Sequence, residues 1–392
     1  MNKLIMDLVD DPQSAVLTLL YIFQYSTHQN VLLDMLLPGG YNFHPEDTHV
    51  QKFTKSLDAL LSILAELGYH DFHINHITSL HIIKTKAAPF LKFSTPDTTF
   101  NKMLKYEHNA GRAISALHLA AACIDPEYLC IMLARSKHGY NNNNSISDSI
   151  GRAPLHVAVL YDLEENAWHL LFDVRDRADP NQMPEYPQPY YKKRFSEKII
   201  FNMVRLLLKG KKSHALSVFE TEGATPLMLA IANESKDMVN LLLNEGADPN
   251  ISPINIIAPL KLAVADGNRA IVKTLLRHGA NPNTLDCNML HYAIEAKQFG
   301  LIDLILPHIR DLNEIHNGKT AYAHMEIECV DDHRLHPFLN MIAYAMHKQG
   351  LFQPYVPRSH SSHSSHSSHS SKSRSSCSFL HSSRSSGPMD YF

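Results

Sequence analysis

The sequence predicts an all-α fold: a solenoid of stacked helix–turn–helix units, degenerate at the N-terminal end and followed by a disordered C-terminal tail. Three observations predict it. A short motif centred on a leucine returns along the chain at nearly regular intervals. Each return is followed by a second apolar run, most of them closed by a glycine-containing turn. The composition also supports a long folded part, since 44% of the 392 residues are hydrophobic and 19% are charged, enough to furnish a core over most of the chain. A fixed period of roughly 20–50 residues is the mark of a repeat architecture and takes precedence over any other fold reading.

The clearest unit lies mid-chain. Gly223-Ala-Thr-Pro-Leu-Met-Leu-Ala230 is followed by Asp237-Met-Val-Asn-Leu-Leu-Leu-Asn-Glu-Gly-Ala-Asp-Pro-Asn250. Ala258-Pro-Leu-Lys-Leu-Ala263 and Ile271-Val-Lys-Thr-Leu-Leu-Arg-His-Gly-Ala-Asn-Pro-Asn283 repeat it, and Leu227 to Leu260 is 33 residues. These segments resemble the ankyrin repeat, whose units open on G-x-T-P-L-H-x-A and close on L-L-L-x-x-G-A-D-x-N. Upstream, Gly151-Arg-Ala-Pro-Leu-His-Val-Ala158 and Ser115-Ala-Leu-His-Leu-Ala120 match the opening. Downstream, Met289-Leu-His-Tyr-Ala293 and Gly318-Lys-Thr-Ala-Tyr-Ala323 match it as well. The anchor positions are Leu117, Leu155, Leu227, Leu260, Leu290 and Tyr322, separated by 38, 72, 33, 30 and 32. The interval of 72 is close to two periods. A degenerate unit is expected inside it, with Phe201 to Gly210 as its second helix.

Each motif position has a physical reason. Thr225 stands where a helix starts and can accept from its free N–H groups. Pro226 sits in the first turn, where its missing N–H costs nothing. Leu227 and Ala230 face the neighbouring unit, and the small alanine lets two helices approach closely. Leu241, Leu242 and Leu243 bury the second helix, and Gly246 ends it in a left-handed conformation. Asp248 and Asn250 shape the turn that follows. One such unit cannot bury its own apolar faces, so stacking stabilises it. His118, His156 and His291 occupy the histidine slot of the motif, and hydrogen bonding of the turn is expected of them rather than catalysis.

Residues 1–105 keep the same rhythm less clearly. Leu60 to Gly68 reads as a second helix, and Thr78-Ser-Leu-His81 as the next opening. Two readings stand: degenerate repeats, or a separate helical domain. Residues 106–330 carry the repeats proper, with insertions near 136–150 and 182–200. The first insertion holds Asn141 to Asn144, and the second holds Pro184, Pro187 and Pro189 with Tyr186, Tyr190 and Tyr191. Residues 331–357 are expected to cap the stack with an amphipathic helix, using Phe338, Met341, Ile342, Tyr344 and Ala345. From 358 to 392 the composition collapses. Residues 359–369 alternate histidine with serine pairs, a pattern that cannot form a packed core.

Composition narrows the function. Lys plus Arg is 36 against 39 Asp plus Glu, so no basic excess points to nucleic acid and no polybasic anchor to a membrane. No apolar run reaches the ~20 residues a spanning helix needs. Five scattered cysteines without a CxxC pair fit a reducing compartment, so a cytoplasmic location is expected. No cofactor is expected. His70, Asp71, His73, His76 and His81 are dense, but their spacing fits no standard zinc site. Cys123 and Cys130 fall in repeat helices, where a buried small hydrophobe is the expected role.

The resemblance implies a monomeric protein-binding scaffold, not an enzyme, with turn tips and first-helix ends presented to a protein partner. By repeat phase those positions are Arg152, Glu222, Asn255 and Lys319 in the turns. After the first helices they are Leu160, Tyr161, Asn233, Asp266 and Glu295. The alternative is an enzyme whose catalytic part lies N-terminal to targeting repeats. The make-up also resembles ankyrin-repeat effectors of intracellular bacteria, which would place the protein in a host cell without a cleaved signal peptide.

Overall fold

The first helices of the repeats start where the side chains can cap them. The computed structural model describes residues 8, 10–25, 46–69, 76–88, 112–135, 146–149, 151–173, 177–184, 224–251, 258–283 and 288–351. Seven helix pairs follow one another among these residues. They are α1 (Pro12–Tyr25) with α2 (His49–Glu66), α4 (Ala116–Ala121) with α5 (Glu127–Arg135), and α6 (Pro154–Leu160) with α7 (Glu164–Phe172). Next come α8 (Pro226–Ala232) with α9 (Lys236–Asn244), and α10 (Pro259–Asp266) with α11 (Arg269–Arg277). The last two are α12 (Met289–Glu295) with the short α13 (Ile302–Ile305), and α14 (Ala321–Asp331) with α15 (His336–Lys348). A further helix, α3 (Leu80–Ala87), packs on α1. The strands β1 (Thr78–Ser79) and β2 (Ala113–Ile114), which precede α3 and α4, pair antiparallel.

The caps agree with the sequence. The Met228 N–H donates to the Thr225 hydroxyl at 3.4 Å, and Pro226 fills the first turn. Ser115, Asn288 and Thr320 cap α4, α12 and α14 in the same way. Gly246 and Gly279 close α9 and α11 at φ +93° and +85°. Between the two helices of a pair the chain also turns left-handed, at Asp162, Glu234, Gly267 and Lys297. Gly267 adopts that conformation freely and Asp162 tolerates it. At Glu234 and Lys297 the tertiary arrangement holds an ordinary side chain there, at a cost of about 1–2 kcal/mol each.

Stacking runs in two continuous rows. The first helices contact one another in the order α1, α4, α6, α8, α10, α12, α14, and the second helices follow in parallel, with α11 meeting the 3-10 turn Phe299–Leu301 that leads into α13. Their inner positions are alanine, leucine, isoleucine and valine with almost no exposure. The N-terminal helices α1 and α2 therefore continue both rows. The opening read at Thr78 to His81 does start a helix, α3, but the helix stacked on α4 is α1.

Asparagines tie successive turns together. The Asn181 amide donates to the Gly246 carbonyl oxygen at 3.0 Å and accepts from the Asp248 N–H at 2.7 Å. Asn250 makes the same pair of bonds to Gly279 and Asn281, at 3.1 and 2.8 Å. Asn283 makes it to His308 and Arg310, both at 3.0 Å. A side-chain amide carries the same donor and acceptor as a peptide group, so one residue extends the backbone pairing from turn to turn. The residue two before each asparagine accepts its N–H and fixes the turn: Asp179, Asp248 and Asn281.

The ladder also joins the turns on either side of the 72-residue interval. Ala178-Asp179-Pro180-Asn181 has the sequence of Ala247-Asp248-Pro249-Asn250, and it closes the α6–α7 pair. Asn181 then reaches the next turn at 246–248 directly, and α6 packs on α8. Residues 201–210, expected to be a second helix there, lie outside the described residues, as do 136–145, 185–223 and the tail from 352.

At the C-terminal end, Ile342 and Met346 of α15 are buried and Phe338, Met341 and Ala345 are half-buried. Tyr344 is 72% exposed and does not cover the stack as expected. Leu242 has no exposed surface and packs between neighbouring pairs. Leu242→Ala should lower stability by ~2–5 kcal/mol through lost apolar transfer and a residual cavity. Urea unfolding followed by circular dichroism measures this, and a loss below ~0.5 kcal/mol would contradict the assigned repeat phase.

Candidate functional site

The motif histidines hold the turns from inside. His118 Nε2 donates to the Arg152 carbonyl oxygen at 2.8 Å, so its Nδ1 accepts from the Ser115 hydroxyl, also at 2.8 Å. His291 Nε2 donates to the Glu314 carbonyl oxygen at 3.0 Å. His156 Nδ1 accepts from the Ala153 N–H at 3.2 Å. Burial drives the His156 pKa down to about 3, with the Arg152 charge adding to it. Burial also lowers His291, and lowers His49, whose ring meets the Tyr128 hydroxyl between α2 and α5. These neutral rings are structural.

Two predicted contact residues prove to be buried. Arg152 is 1% exposed, and its guanidinium holds the equally buried Asp148 carboxylate through Nε and Nη2, both at 2.8 Å. The Arg152 N–H also donates to Asp148 Oδ1 at 2.9 Å. The variable-looking turn position is thus an internal clamp, because this turn is folded over by its own carboxylate. Leu160 is 9% exposed and belongs to the last turn of α6 against the stack. Asn233 is half-buried, and its amide donates to the Val159 and Leu160 carbonyl oxygens at 2.9 and 3.0 Å, tying α8 to α6. Glu222 and Asn255 lie outside the described residues.

The remaining positions reach the surface. Tyr161 and Asp266, half-buried, stand at the ends of α6 and α10, and Glu295 is exposed at the end of α12. Lys319 is exposed in the turn before α14. Glu295 and Lys319 are brought together on a polar hollow of about 300 Å³, with His316, Asn317, His324 and Glu328 completing its lining. Those four residues were not singled out in the sequence. The signal for them was the Asn317-Gly318 dipeptide, which marks a two-residue hairpin turn. Glu295 accepts from Asn317 Nδ2 at 3.1 Å and lies 3.4 Å from His316 Nε2. On the outer row, Trp168 and Phe172 of α7 are 46% and 43% exposed and stack with ring centroids 4.8 Å apart.

The candidates for chemistry are placed otherwise. Cys123 is buried and donates its thiol to the Leu119 carbonyl oxygen, and burial raises its pKa well above the usual range. A thiol held neutral in this way is a poor nucleophile. His76 and His81 are exposed, while His70, Asp71 and His73 lie outside the described residues. Among the described residues, no group of three or more histidine, cysteine or acidic side chains is placed to hold a metal ion. No described helix is long and apolar enough to cross a membrane.

Two predictions follow from the buried polar groups. Arg152→Ala strands the Asp148 carboxylate in the interior and should cost ~3–5 kcal/mol, seen as a lowered urea midpoint. Histidines whose folded pKa is depressed by burial favour the folded state fully above about pH 6.5, where both states are neutral. That contribution is lost as the pH falls from 6.5 toward the folded value, about 3 for His156. Stability should drop between pH 7 and 5 by up to ~1.4 kcal/mol per pH unit for each such ring. A urea midpoint unchanged over that range would show the rings free to titrate.

Two family models describe the same repeat. A family model described as ankyrin repeats in three copies matches residues 196–253, and the single ankyrin repeat model matches residues 257–287. No curated protein matches the chain. Among solved structures, the ankyrin repeat domain of Bcl-3, described as a unique member of the IkappaB protein family, is similar at 21% identity and a TM-score of 0.39. That alignment covers 63% of this chain and 93% of the other.

Proposed function

Because this chain is an ankyrin-repeat protein, we propose that it is a protein–protein interaction scaffold whose turn tips and first-helix ends hold a protein partner. The observation that carries this reading is the set Tyr161, Asp266, Glu295 and Lys319. These side chains reach the surface at helix ends and a turn that the stacked rows hold in place. A surface fixed in this way loses little conformational freedom on binding, so contacts made there are not offset by ordering. Repeats of this family are typically binding modules without catalytic groups, and the reading assigns the protein no cofactor and no reaction. Few cysteines, degenerate N-terminal units and the serine–histidine segment support a role as an effector acting in a host cell.

The combined variant Tyr161→Ala, Asp266→Ala, Glu295→Ala and Lys319→Ala tests the surface. In affinity capture from host-cell lysate with full-length protein as bait, it should lose the bound partner at least about tenfold, since a few interface residues carry most of the binding energy. Its thermal unfolding should stay close to that of the parent. Full capture by this variant would place the binding surface elsewhere, with the exposed Trp168–Phe172 pair as the next region to mutate.

A further inference from the structure

We propose that the hollow beside Glu295 and Lys319 is a subsite for a carboxylate side chain in an acidic peptide segment of the partner. The proposal rests on the reading that turn tips and first-helix ends bind protein, and it adds the chemistry of what is bound there. The lining carries both signs, so the question is which charges are already satisfied. Glu295 accepts from the Asn317 amide at 3.1 Å and lies 3.4 Å from the His316 ring nitrogen. Glu328 is met by Lys297 at 3.7 Å. The side chains of Lys319 and His324 make no hydrogen bond or ion pair among the described residues. Both acids therefore have partners, and the donors left over are an ammonium and an imidazole. An incoming carboxylate finds these donors unoccupied. An incoming cation would have to take Glu295 from the Asn317 amide while lying beside Lys319.

The backbone that carries these donors is also held in place. His316 and Lys319 exchange backbone hydrogen bonds at 2.9 and 3.1 Å across a two-residue turn. Asn317 and Gly318 both have positive φ, +51° and +76°, the pair of conformations that a tight hairpin of this twist requires and that Asn-Gly adopts readily. Residues directly opposite in such a pair send their side chains to the same side, so His316 and Lys319 leave the turn together. His324 and Glu328 are four apart on α14 and share one helical face. The hollow is thus walled by a rigid turn on one side and a helix on another. Charge-assisted bonds to an oxygen anion are the strong kind.

The test uses fluorescein-labelled hexaglutamate and hexalysine peptides, titrated against the full-length protein and followed by fluorescence anisotropy at low and moderate salt. Hexaglutamate should bind saturably and weaken with salt, and hexalysine should not bind over the same range. Lys319→Glu should weaken hexaglutamate binding by about tenfold or more, as expected for reversing a contact charge. Lys319→Gln should weaken it less, and it serves as the variant of record if the reversal disturbs folding. Lys273→Glu, an equal change of net charge on an exposed position of α11, should leave binding within about twofold if the contact is local. Absence of hexaglutamate binding, equal losses at Lys319 and Lys273, or tighter binding of hexalysine would each overturn the proposal. If the combined surface variant loses its partner while hexaglutamate fails to bind, this subsite is refuted and the binding surface stands. If that variant captures the partner fully while Lys319 still governs hexaglutamate binding, the surface reading fails and the subsite stands.

Discussion

Each helix pair in this chain has two apolar faces and can bury neither by itself. Ala230 and Leu227 need a first helix on either side, and Leu242 needs a second helix on either side. Stability is therefore a property of contact between neighbours, which is the general energetics of repeat arrays. Much else in the structure serves this one constraint. The small residues of the first helices set how closely neighbours approach. The proline and hydroxyl caps start those helices abruptly, so that seven-residue segments suffice. The asparagines at 181, 250 and 283 then fix the spacing of the turns by pairing each with the next.

The same constraint explains where polar groups are buried. A turn that folds against the stack leaves backbone groups that water cannot reach, and the motif histidines supply the missing donors and acceptors. The Arg152–Asp148 clamp belongs to this class, because it closes the turn before α6 from within. Its cost is sensitivity to the loss of either partner. The acid sensitivity of the buried rings has the same origin, since a turn built on neutral imidazoles cannot accept a second proton without losing hydrogen bonds or burying charge.

What faces outward is left to function. The first-helix ends and turns differ from unit to unit, while the positions that contact a neighbouring unit are nearly interchangeable. One pair of turns, around Glu295 and Lys319, gathers six polar side chains around a hollow. The outer row carries an aromatic pair at Trp168 and Phe172. The rigidity that stacking imposes lets such side chains act as fixed contacts rather than as flexible surface groups.

By itself the sequence determined the repeat, its phase and the cause of each motif position. Caps, first-turn prolines, left-handed glycines and turn histidines are local chemistry, and local chemistry is written in consecutive residues. The 178–181 turn is equally legible, since it repeats the residues of 247–250. Only the tertiary structure decided that α6 packs directly on α8, because adjacency in a stack depends on which faces meet and not on chain distance. It decided that Arg152 points inward, since a charged residue in a turn looks exposed until its carboxylate partner is located. It decided too that α1 rather than α3 stacks on α4, and that Glu295, His316, Lys319 and Glu328 share one hollow. These residues come from two successive units. The distance between them is set by the stacking of α12 on α14, which no run of consecutive residues encodes.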